Sequence, residues 1–105
     1  MYHTVTVTIK RPNIYSNFWY EAEYYQAIRL EIVALFNESI DNQQILDFYE
    51  DESEDQLIYT RVTVFKDSES KNTFMDQFEK KFTEYSINRQ TYCLDNEHIL
   101  TITEK

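Results

Sequence analysis

Apolar and polar positions follow two different periods along this chain. From Tyr2 to Lys10 they alternate strictly, with Val5, Val7 and Ile9 pointing one way and Thr4, Thr6 and Thr8 the other. That is the pattern of a half-buried strand. Pro12 stops it, because proline cannot donate to a ladder. From about Tyr20 to Phe36 the period lengthens. Tyr24, Ile28, Ile32, Leu35 and Phe36 fall on one helical face, and Ser16 or Asn17 is available as a cap. Residues 37–42 read as a polar connection, 43–49 as a short strand and 51–55 as a turn. Leu57 to Phe65 is rich in β-branched and aromatic residues, as a strand is. Asp67 and Ser68 then offer oxygens to the free N–H groups of a new helix, along which Phe74, Phe78 and Phe82 recur every four residues. Ile87 to Leu94 reads as extended, without a clear face. His98 to Thr103 closes the chain as a strand.

This order is β-α-β-β-α-β, with room for an extra short strand before the last. It predicts one domain over residues 1–105. With right-handed crossovers, that domain is an α+β fold of the split βαβ, or ferredoxin-like, kind: one antiparallel sheet with two helices on one face. The strand at 57–65 is apolar on both sides, with Ile58, Val62 and Val64 on one and Leu57, Tyr59 and Phe65 on the other. A sheet solvated on one face should not look like this. We therefore expect a homodimer joined through the open face, with Leu57, Tyr59 and Phe65 as interface candidates.

Composition narrows the chemistry. The chain has 105 residues, enough for one core. It contains no glycine. Glycine-rich phosphate loops, dinucleotide fingerprints and EF-hand loops are thereby excluded, and left-handed positions should fall to Asn, Asp or Ser. Net charge is −9, concentrated in residues 1–55, where three bases face eleven acids. Such a chain is a poor partner for nucleic acid, whose binding depends on Lys and Arg. A single cysteine precludes an internal disulfide and a cysteine metal cluster. No apolar run approaches a membrane span, and the first ten residues lack the pattern of a signal peptide. A cytoplasmic protein is expected.

No residue set matches a catalytic, cofactor-binding or metal motif. Asp47, Glu50, Asp51, Glu52, Glu54 and Asp55 form an acidic run with no base among them. It reads first as a solvated hairpin that keeps a sheet edge soluble. The other readings are a weak metal site, a face for a protein partner, or a mimic of nucleic acid. His3 and His98 begin strands and lack partners at motif spacing. Cys93 lies near Asp95 and Glu97, which would raise its pKa rather than activate it. The aromatic cluster that includes Phe18, Trp19 and Tyr24 is denser than one helix face needs. It could plug the core, anchor an interface or line a pocket.

Two resemblances extend this reading. The string TVTIKRPN leading to FW, together with LIYTRVTVFKDSESKNTFMDQF and RQTYC, resembles small uncharacterised proteins of marine T4-like phages. The likeness spans most of the chain and implies a phage accessory or virion-associated protein with no assigned catalytic residues. It departs at 50–57, where acids replace an Asp-Gly turn. In size and element order the chain is also similar to antibiotic-biosynthesis-monooxygenase-like dimers, which are ferredoxin-like. Some of these oxidise quinols or haem with an Asn, a Trp and a His. Asn17 and Trp19 occur here, but no positional match carries that activity over. The leading expectation is a non-enzymatic structural or interaction protein, with a ligand-binding or monooxygenase-like dimer as the alternative.

Overall fold

A computed structural model describes all residues, 1–105. Strand β1 (His3–Lys10) leads through a single 3-10 turn (Trp19–Glu21) into helix α1 (Glu23–Asp41). A hairpin of β2 (Ile45–Glu52) and β3 (Ile58–Phe65) follows, then helices α2 (Ser68–Lys81) and α3 (Tyr85–Asp95), and strand β4 (Ile99–Glu104). The four strands lie in the order β2-β3-β1-β4, with every neighbouring pair antiparallel. This is the ferredoxin-like sheet, with one helix more than expected in the second crossover.

The extra helix corrects the extended reading of 87–94. Its buried residues are Tyr85, Arg89 and Cys93, spaced four apart. The period is helical, but an arginine and a cysteine occupy two of its three inward positions, so apolarity alone does not reveal it. Two smaller corrections concern α1. It runs on to Asp41, through the stretch read as a connection, and its N-cap is Ala22, without a side-chain bond. Ser16 instead bonds His98, at 2.7 Å. The Asp67 cap is as expected: its Oδ1 accepts the Ser70 N–H at 2.7 Å.

Register decides which strand residues meet the helices. Val5, Val7 and Ile9 stand opposite Thr63, Arg61 and Tyr59. Val7 and Ile9 belong to the core, together with Phe65, Ile45, Ile32, Phe74 and Phe78. The helix-covered face of β3 is therefore Tyr59, Arg61, Thr63 and Phe65. Burying each large core side chain contributes about 1.5–3 kcal/mol. The other face of β3 carries Ile58, Thr60, Val62 and Val64. Val62 is only 7% exposed yet lies outside the core cluster.

Candidate functional site

The register corrects the expected interface. Phe65 is 1% exposed, inside the core. Tyr59 packs on the same side, with its ring centroid 4.8 Å from that of Tyr20 and 5.9 Å from that of Phe18. Leu57 lies in the turn before β3, where its carbonyl accepts the Arg11 N–H at 2.9 Å. None of the three stands on the open face. The apolar residues there are Ile58, Val62 and Val64, flanked by Tyr49 of β2 and Ile99 of β4, both half exposed or more.

The aromatic cluster resolves into a plug and a cavity. Phe18 and Trp19 are plugs, with Trp19 at 1% exposure amid Tyr25, Tyr85 and Tyr92. Tyr24 is partly exposed, with its ring against that of Trp19. The cavity begins one residue later, beneath α1. It has a volume of about 260 Å³ and is walled by Tyr20, Tyr25, Ile32, Val33, Phe36, Ile40 and Phe48. The α1 residues recur at three- and four-residue spacing, so one helical face forms the wall.

Arg61 reaches into this cavity from the middle of the sheet. Its guanidinium lies 4.7 Å from the Tyr20 ring and 5.1 Å from those of Phe36 and Phe48. Its Nε is buried with no hydrogen-bond partner, and none of the chain's ion pairs includes it. Burial works against its charge, but the oxygens of Tyr20, Tyr85, Tyr25 and Tyr59 hold its pKa above the ordinary arginine value. Arginine stays charged in any case. Three aromatic faces offset part of the desolvation, at about 0.5–2 kcal/mol each. An unpaired buried ion costs several kcal/mol. The balance leaves a cation suited to an anion.

The sequence carries a signal for this residue. Arg61 is the one charged residue between Leu57 and Phe65, and strand alternation puts it on the same side as Tyr59 and Phe65. A smaller cavity of about 100 Å³ lies between α2, α3 and the sheet, and Arg61 and Arg89 both border it. Arg89 is buried where Arg61 is half-buried, and its Nε too has no partner.

The acidic residues do not form one face. All six are exposed, along edge strand β2 and its turn. Glu50 and Glu52 stand opposite Arg61 and Tyr59 and share their side of the sheet, whereas Asp47 and Asp51 take the other. Glu50 accepts the Tyr59 hydroxyl proton. Burial and that bond both raise the Tyr59 pKa, so the phenol stays protonated. Asp55 closes the hairpin: it accepts from Ser53 Oγ at 2.6 Å and from the Leu57 N–H at 3.1 Å. These two bonds lower its pKa. His3 pairs with Glu104 at 2.9 Å. Burial raises the Cys93 pKa, as expected of an unreactive thiol. No helix is long and apolar enough to cross a membrane.

No protein-family model matches the chain, and no curated protein matches it. Two solved structures resemble it, each described as a dimeric ferredoxin-like protein from an uncultured marine organism. The first superposes with a TM-score of 0.63 at 12% identity, over 99% of this chain and 92% of its own. The second gives 0.54 at 10% identity, over 100% and 91%. The chain has the ferredoxin-like fold. At such identities the likeness reaches the fold alone, and a fold of this kind hosts many functions.

Proposed function

We propose that the protein is a non-enzymatic binding protein, working as a homodimer, that holds a small apolar carboxylate over Arg61. The observation that carries this reading is the half-buried Arg61 guanidinium, set among three aromatic rings, with a buried and unpartnered Nε and no acidic partner. The adjoining cavity is just below the roughly 300–1,000 Å³ common among ligand sites and has their make-up: apolar walls and a few polar groups. Asn37 and Arg29 at its border add donors suited to the same charge. The cavity moves the balance from a purely structural role toward the ligand-binding alternative.

The dimer is supported by the description of both structural neighbours and by the apolar open face of β3. The likeness to small marine-phage proteins supports a phage accessory role for such a binder. The test is a thermal-shift series with 3-phenylpropionate, 4-methylpentanoate, phenylalanine and leucine. Wild type should be stabilised by at least one of these carboxylates and Arg61→Met by none. Indifference of wild type to the whole series would sink the reading.

A further inference from the structure

We infer that the ligand is a zwitterion, an apolar α-amino acid whose carboxylate meets Arg61 and whose ammonium meets Glu50. This rests on the reading above that the cavity holds a carboxylate. Glu50 stands directly opposite Arg61 in the β2–β3 ladder, and both border the cavity. Opposite charges at facing positions of an antiparallel pair ordinarily attract one another across about 4.5–5.5 Å between Cβ atoms. Here they do not pair. The guanidinium lies among the rings of Tyr20, Phe36 and Phe48, and the carboxylate turns to the Tyr59 hydroxyl. One cavity thus offers a cation in its depth and an anion at its exposed edge, one cross-strand step apart.

An α-amino acid carries both complementary charges on a single carbon. A simple carboxylate would satisfy Arg61 but bring its charge close to that of Glu50. An amine would satisfy Glu50 and leave Arg61 bare. A zwitterion answers both groups at once. The remaining wall selects the side chain: Ile32, Val33 and Ile40 are aliphatic, and Tyr25 and Phe36 are aromatic. A leucine- or phenylalanine-like body suits it, and a charged one would be buried without a partner.

Titration calorimetry on wild type and Glu50→Gln tests this, using phenylalanine and leucine against their deaminated counterparts, 3-phenylpropionate and 4-methylpentanoate. Glutamine can still accept the Tyr59 proton, and an unchanged melting temperature confirms that the variant folds. We expect the amino acids to bind wild type at least roughly tenfold more tightly than the deaminated acids. Glu50→Gln should erase that preference while still binding the deaminated acids. Deaminated acids binding wild type as tightly as amino acids would overturn the zwitterion and leave the carboxylate reading standing. A preference undiminished in Glu50→Gln would overturn it too. Binding of neither series would overturn both readings.

Discussion

At the scale of single residues, the chain places its charges against its own composition. Acids outnumber bases nineteen to ten, yet Arg61 and Arg89, each with a buried and unpartnered Nε, have no carboxylate partner. Scarcity of acids cannot be the reason, since Glu50 stands opposite Arg61 and binds Tyr59 instead. Arg11 shows the ordinary arrangement. It donates to the carbonyls of Gln56 and Ser16 at 2.8 and 2.9 Å and lies 3.6 Å from Glu52. His98 gives a prediction at this scale. Burial first, and then Arg11, lower its pKa, and its Nε2 meets Ser16 Oγ. The folded state therefore resists a proton that the unfolded chain accepts. The stability tied to His98 is present above about pH 6.5, the unfolded value, and is lost as pH falls toward the lower folded one. Melting temperatures from pH 7.5 to 5 should decline in wild type and decline less in His98→Gln. Equal slopes would remove His98 as the cause. Asp55, Asp67 and Glu104 also have lowered pKa values, but the stability tied to them is lost as pH falls through ordinary carboxylate values of about 4 to 4.5, below this window.

At the scale of elements, two helices end in the same way without glycine. After α1, the Gln43 N–H bonds the Ile40 carbonyl and the Gln44 N–H that of Ser39; after α3, Glu97 and His98 do the same with Leu94 and Cys93. This is the Schellman pattern, and its left-handed residues are Gln43 at φ 67° and Glu97 at φ 59°. A side chain there costs about 1–2 kcal/mol. Gln43→Gly and Glu97→Gly should each raise stability, by about 1 kcal/mol in chemical denaturation. A loss in either would show that the side chain makes a compensating contact. Strands β1 and β3 and helix α2 were legible because Val5, Val7 and Ile9, and later Phe74 and Phe78, repeat one simple period. Helix α3 was not, since Arg89 and Cys93 fill its inward positions. The left-handed sites, expected at Asn, Asp or Ser, fell to Gln43, Gln56 and Glu97 because backbone bonding fixes them whatever the side chain. The cavity was not legible: none of Phe18, Trp19 and Tyr24 lines it, and only the β2–β3 register brings Glu50 and Arg61 together beneath α1.

At the scale of the whole molecule, the sheet has one face covered by helices and one left open. Val64 and Phe65 are adjacent in sequence and lie on opposite faces. Their aspartate variants should therefore fail differently. Phe65→Asp places an unpaired charge in the core and should unfold the chain, at a cost of several kcal/mol. Val64→Asp should fold and give a monomer by light scattering where wild type gives a dimer, at low and high salt alike. A folded Val64→Asp chain that remains dimeric would move the interface elsewhere. The binding reading meets its most direct test in the stability of Arg61→Met, compared with wild type with and without the carboxylate that wild type prefers. Replacing an unpaired, half-buried cation with an apolar side chain of similar reach should leave the ligand-free protein at least as stable as wild type, and only wild type should gain from ligand. A variant weakened by the 3–5 kcal/mol or so that breaking a buried ion pair costs, beside a wild type that no carboxylate stabilises, would make Arg61 a structural residue and contradict the account.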